Sequence, residues 1–264
     1  MTAVLKVLQW GEALNLAAST WNYLCAYGSE AKLEQAIREI VEDGFGVELW
    51  LSWTADPEAV HETHWDDIRG ALEGADVTLH TGLGRCDEEL FRREVDMAVF
   101  LGADLIVTHE STLGLRSADE PAVSGCCRDI LDYARSREVR VALENGTFET
   151  LEKALALVED LGICLDIGHA NIDERGVGQF LERFGAAICH VHLSDNYGQT
   201  DNHLVPGDGY ISMKDWRALL KTLHRAGFSG TAVLELNTAE PRKSAKRARE
   251  FLDYAARSVD EELR

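Results

Sequence analysis

Short apolar runs alternate with longer segments of helical period along the whole chain. The runs are Val4–Gln9, Gly46–Leu51, Asp76–His80, Leu105–His109, Arg140–Glu144, Ile163–Asp166, Ala187–Leu193 and Ala232–Leu236. Each reads as a buried strand, too short to be a helix. Between them, Glu30–Val41, Pro57–Leu72, Glu88–Leu101 and Val123–Arg135 have the spacing of amphipathic helices, as do Leu151–Leu161, Gly178–Phe184, Lys214–Ala226 and Ser244–Arg257. Several of these segments end at a glycine just before the next strand, at Asp43-Gly44, Glu73-Gly74, Leu161-Gly162 and Ala226-Gly227, where a glycine suits the turn out of a helix.

Eight strand–helix units of about thirty residues each predict an α/β fold, a (β/α)₈ TIM barrel formed by residues 1–264 as a single domain. The alternative is an open doubly wound sheet. That fold usually carries a glycine-rich loop after its first strand, and Gln9-Trp-Gly-Glu-Ala-Leu14 is a poor match. With four prolines and no polar tract, the chain shows no linker.

Composition narrows the class only a little: 264 residues with 45% hydrophobic and 27% charged side chains suit a soluble globular protein. Met1–Trp10 lacks a basic segment followed by an apolar core, and no run approaches membrane-spanning length. A cytoplasmic protein with no membrane partner is therefore expected. The six cysteines have no metal or disulfide spacing and are expected to be reduced. Charge changes the picture more. A net −20 repels phosphate backbones and disfavours nucleic acid as a partner.

The chemistry lies at the downstream strand ends. In a barrel, the last inward positions of the strands line the mouth. They are His80, His109, Glu144, Asp166, His192 and Glu235, and the following loops add His169, Asp201 and His203. Taken singly, each has a plain structural explanation as a hydrogen-bonded core or rim residue. Gathered at one mouth, the carboxylates cannot all ionise without a counter-charge, which a divalent cation supplies. Glu144, Asp166, His192 and Glu235 are the expected ligands, and this hard donor set suits Mn²⁺, Mg²⁺ or Co²⁺ and admits Zn²⁺. His190, two residues before His192, faces the same way one layer deeper and reads as a packing or supporting residue. Asp195 is expected to hold an imidazole in place. Trp10, Glu48 and Trp50, near the ends of the first two strands, are candidates for a pocket wall and equally for core packing. The basic stretch Arg242–Arg249 reads as the solvated face of the last helix.

Leu143-Glu-Asn145, Leu165-Asp-Ile-Gly-His169, His190-Val-His192, Gly207-Asp-Gly209 and Leu234-Glu-Leu236, in this order and spacing, resemble the motifs of the xylose-isomerase-like TIM-barrel superfamily. That superfamily includes sugar isomerases and ketose 3-epimerases, and also apurinic endonucleases of the endonuclease IV type. Resemblance to the epimerases implies one divalent ion held by Glu144, Asp166, His192 and Glu235. It also implies proton transfer by Glu144 and Glu235 through an enediolate, with His169 contacting the substrate. His80, His109, Glu48 and Trp10 complete the expected substrate-binding set. The substrate class is a small sugar, polyol or sugar phosphate. Epimerases often carry an arginine a few residues after the liganding histidine, whereas here His192-Leu-Ser-Asp-Asn-Tyr-Gly-Gln199 follows. Resemblance to the endonucleases implies instead a multi-zinc phosphodiesterase in which His80, His109, His169, Asp201 and His203 hold additional metals. A dehydratase and a noncatalytic sugar-binding barrel are further alternatives. A homo-oligomer is compatible with the resemblance, and substrate specificity is expected in the loops Gly11–Ser29 and Thr112–Pro121.

Overall fold

The computed structural model describes residues 14–115, 125–159 and 161–263. Its eight parallel strands close into a barrel in sequence order. They are β1 (Asn15–Ser19), β2 (Gly46–Trp50), β3 (Val77–His80), β4 (Leu105–Thr108), β5 (Arg140–Glu144), β6 (Gly162–Asp166), β7 (Ile188–Leu193) and β8 (Thr231–Leu234). The α-helices around them are α1 (Trp21–Tyr27), α2 (Leu33–Glu42), α3 (Trp65–Leu72), α4 (Glu88–Leu101) and α5 (Gly125–Ser136). They continue with α6 (Phe148–Leu157), α7 (Ile167–Ile172), α8 (Gly176–Phe184), α9 (Met213–Arg225) and α10 (Pro241–Leu263). The expected barrel is thus the observed one. Among the described residues, no helix is long and apolar enough to cross a membrane.

The first strand departs from expectation. Val4–Gln9 and Trp10 lie outside the described residues, and the strand that closes the barrel is Asn15–Ser19, inside the stretch read as a loop. Asn15-Leu-Ala-Ala-Ser19 has no β-branched run to announce it. Its extended form is set by pairing with β2 (Ala17 opposite Gly46) and β8 (Ala17 opposite Val233). Helix α1 occupies much of the rest of that stretch. Of the loop Thr112–Pro121, only the part up to residue 115 lies within the described residues.

Alternate residues of each strand share a face. The outward set (Val47, Leu49, Leu79, Ile106, Leu143, Leu165, Val191, Leu234) packs with helix side chains such as Ile37, Phe91, Phe180 and Trp216 into one continuous core. Burying each such side chain contributes roughly 1.5–3 kcal/mol. The inward set fills the barrel, with Ala142 below Glu144, Cys164 below Asp166, and His190 below His192. Sequence therefore lifts polar residues to the upper layer by a period of two.

Cys86 is disulfide-bonded, whereas Cys25, Cys127, Cys164 and Cys189 remain thiols. The expectation of six reduced thiols is corrected here, because linear spacing does not reveal a pair formed through space. A disulfide is also the less usual state in a reducing cytosol.

The basic start of α10 is only partly a solvated face, because it ties that helix to the end of α2. Arg242 donates to the Asp43 carboxylate at 2.8 and 2.7 Å, and Lys246 adds a third contact at 2.8 Å. The Arg242 bonds, acting against partial burial and helped by Lys246, lower the Asp43 carboxyl from 3.8 to about 2. Because the folded value lies below the unfolded one, the stabilisation is complete above about pH 4 and is lost as pH falls toward about 2. Arg242 is 39% exposed, so solvent screening discounts the linkage. Asp43→Asn is expected to cost on the order of 1 kcal/mol at neutral pH, and its difference from wild type should shrink below about pH 4 in urea titrations.

Candidate active site

Strand β6 delivers Asp166 to the mouth, and the chain turns at once into α7. Asp166 Oδ1 accepts from the His169 amide at 2.8 Å, capping that helix. Asn145 clamps the same turn: it accepts from the Asp166 amide at 2.6 Å and donates to the Asp166 carbonyl at 3.1 Å. Gly168 leaves room for this turn, since a Cβ would stand 2.7 Å from Ser194 Oγ and 3.0 Å from Asp166 Oδ1 and would push those side chains aside. A four-residue sequence, Asp-Ile-Gly-His169, thereby sets one carboxylate and one imidazole side by side.

The expected ligand quartet converges on one atom. His192 Nδ1 lies 3.4 Å from Glu235 Oε2, 3.8 Å from Glu144 Oε1 and 4.0 Å from Asp166 Oδ2. Glu144 also meets His80 Nε2 and His109 Nε2, each 3.1 Å from Oε2, and His169 Nδ1 at 3.3 Å from Oε1. Asp201 Oδ2 joins His169 Nε2 at 3.1 Å to His203 Nε2 at 2.7 Å. The donor atoms fall into overlapping triads, including His80–His109–Glu144, Glu144–Asp166–His169, His169–Asp201–His203 and His80–His192–Glu235. Asp166 and His192 are fully buried, whereas the His109, His169 and Asp201 side chains keep 37%, 28% and 34% of their exposure. The site is thus a basin, closed below and open at its rim.

Most of the imidazoles have one nitrogen tied and the other facing the basin. Nδ1 of His80, His169 and His203 lies 3.2, 2.9 and 3.1 Å from the carbonyls of Thr81, Asn145 and Glu235. Carbonyl oxygens only accept, so these rings carry a proton on Nδ1 and turn Nε2 to the acids. Anchoring of this kind is what orients histidines that hold metals. His203 has a left-handed backbone (φ 48°), fixed by its carbonyl accepting from the Asn237 amide at 2.8 Å.

Burial opposes charge throughout the basin, and acid–imidazole contacts mostly overcome it. The imidazoles of His109, His192 and His80 hold Glu144 well below the usual carboxylate range despite that burial. The Asp166 charge, against burial, raises His169 to about 11. His203 reaches about 9, where burial is outweighed by Asp201 and the neighbouring acids. Glu235 moves upward, because burial and the neighbouring Glu144 and Glu48 outweigh His192 and His80. The acids draw positive charge to themselves, and a divalent cation meets the same demand in exchange for protons. Asp166 Oδ2, His192 Nδ1 and Glu235 Oε1 are buried without a hydrogen-bond partner among the described residues. Leaving such atoms unpaired costs about 1–3 kcal/mol each, so the donor set fits a cation at their meeting point.

Three expectations are corrected. Glu48, expected on the substrate wall, lies wholly buried one layer down, where it accepts from His190 Nε2 at 2.8 Å. Trp50 does reach the mouth, its ring centroid 4.2 Å from that of His80. Asp195, expected to hold an imidazole, instead accepts from the backbone amides of Asn196, Gly207 and Ile211. His109 and Glu235 stand just beyond their strands rather than within them. Sequence reasoning missed Trp21, whose ring lies 4.7 Å from that of His203, because it follows the unrecognised first strand. The clamp formed by Asn145 was also missed, although the Leu143-Glu-Asn145 motif had marked its position.

Comparison with known proteins agrees with the fold. Over 152 residues the chain is 31% identical to the uncharacterized protein y4fM of Sinorhizobium fredii, covering 51% of this chain and 48% of that protein. Over 109 residues it is 29% identical to the D-psicose 3-epimerase of Enterocloster bolteae, covering 39% of this chain and 34% of that enzyme. The chain spans about half the length, or less, of these curated relatives. The crystal structure of a D-tagatose 3-epimerase-like protein superposes with a TM-score of 0.75 at 22% identity, covering 95% of this chain and all of that one. Residues 37–255 match the family model described as the xylose isomerase-like TIM barrel, and the chain belongs to that family.

Proposed function

We propose that the protein is a divalent-metal-dependent isomerase or epimerase of a small sugar, polyol or sugar phosphate. The observation that carries this reading is the convergence of Glu144, Asp166 and Glu235 on His192 Nδ1. The similarity to the D-psicose 3-epimerase supports it. Glu144, Asp166, His192 and Glu235 would hold the ion, and their hard donors suit Mn²⁺, Co²⁺, Mg²⁺ or Zn²⁺. When bound, the ion supplies a Lewis-acid charge that acidifies a C–H beside a sugar carbonyl. Glu144 and Glu235 come from opposite sides of the quartet, β5 and the end of β8, so one removes a carbon-bound proton and the other returns one. His169, half-exposed at the rim, contacts the substrate, and the Trp50 ring forms part of the wall.

A second reading is favoured by a separate observation: nine donors fall into overlapping triads, with His80, His169 and His203 anchored through Nδ1. That arrangement suits several zinc ions and phosphodiester hydrolysis. The net charge of −20 weighs against a nucleic-acid substrate.

One experiment separates the two. Metal content is measured on the purified protein, and a panel of ketoses is followed by NMR in deuterated solvent. The expected result is one ion per chain and metal-dependent deuterium incorporation. Three ions with cleavage of an abasic-site oligonucleotide would reverse the order of the readings.

A further inference from the structure

His192 differs from the other anchored imidazoles of the basin in what anchors it. His80, His169 and His203 rest on backbone carbonyls, whereas His192 turns Nε2 toward a side chain, Glu48, with 3.1 Å between Nε2 and Oε1. We infer that Glu48 is a positioning residue that holds a proton on His192 Nε2 and so leaves Nδ1 as the nitrogen offered to an ion among Glu144, Asp166 and Glu235. The inference rests on the reading of that quartet as a divalent-metal site.

Glu48 is fully buried, and as an ionised acid it only accepts. Its Oε2 takes hydrogen bonds from Thr78 Oγ1 at 3.2 Å and His190 Nε2 at 2.8 Å, which lock the side chain across the barrel from β2 to β7. The remaining oxygen, Oε1, then faces His192 Nε2, and the N–H lies off the direct line between the two atoms. A bare ring nitrogen there would set lone pair against lone pair in a buried, weakly screened place. Protonation at Nε2 turns that repulsion into attraction. It also leaves Nδ1 as the nitrogen that gives up its proton to an incoming ion, and Nδ1 is the one 3.4 Å from Glu235 Oε2. The Cys164 thiol lies beside the same ring, but a thiol accepts only weakly and does not compete with a carboxylate. His190 therefore acts on the site at one remove, by holding Glu48.

Two measurements test this. Ring ¹⁵N–¹H correlation spectra of the wild-type protein report which ring nitrogens carry protons, and His192 is expected to keep a proton on Nε2 both with and without Zn²⁺. Calorimetric titration with Zn²⁺ alone is expected to show binding weakened about 10–100-fold in Glu48→Gln, with its circular dichroism unchanged. An Nε2 without a proton in the wild type, or unchanged Zn²⁺ affinity in a folded Glu48→Gln, would overturn the inference. Should Glu48→Gln fail to fold, the wild-type spectra decide alone. If the wild type binds no divalent ion, the metal reading fails, while the Nε2 proton of the metal-free protein still tells whether Glu48 positions the ring.

Discussion

Glu144→Gln is expected to abolish measurable proton exchange at the substrate carbon and to strip most of the metal from the protein. Both carboxylate oxygens are engaged: Oε2 faces His80 and His109, and Oε1 faces His169 and His192. Glutamine keeps the shape but turns one acceptor into a donor, so an NH₂ group would confront imidazole nitrogens that now face an acid. The side chain is 4% exposed, so water offers little relief. A positioned acid or base contributes roughly 10²–10⁴-fold to rate, and loss of the ligand adds to that. Deuterium incorporation from solvent and elemental analysis after dialysis are the measurements. Wild-type exchange together with wild-type metal content in the variant would remove Glu144 from both roles.

How much of this was legible beforehand depended on distance along the chain. A strand's period of two is local, so Glu144, Asp166 and His192 were marked as inward and terminal from the sequence, and the structure brings them together. Depth is not local. Whether Glu48 ends at the mouth or below it depends on the stagger between β2 and β7, which no pattern within either strand records. The first strand was missed for a similar reason, since Asn15–Ser19 owes its form to its two neighbours. Loop geometry was hidden altogether. Asp195 looked like a partner for an imidazole because a carboxylate near histidines usually is one. Its actual partners are amides that the turn through Gly207 and Ile211 folds back onto it.

Asp195→Ala is accordingly expected to be among the most destabilising single changes near the mouth. The Asp195 carboxylate is fully buried and accepts from the amides of Asn196 at 2.8 Å, Gly207 at 3.0 Å and Ile211 at 3.1 Å. Its backbone pairs in both directions with Leu204, so one residue gathers the loop that carries Asp201 and His203. Alanine leaves the Asn196 and Ile211 amides buried and unpaired, at about 1–3 kcal/mol each, whereas the partly buried Gly207 amide regains water. The total is about 2–6 kcal/mol in unfolding free energy, measured by urea denaturation, with Asp195→Asn losing less because one oxygen acceptor remains. The same variant divides the two functional readings. Glu144, Asp166 and His192 stand on β5 to β7, and Glu235, just beyond β8, meets this loop through its backbone carbonyl rather than its carboxylate, so an isomerase with one ion keeps its metal. A three-ion hydrolase would lose the ion shared by His169, Asp201 and His203, and elemental analysis of the folded variant would show about two ions in place of three.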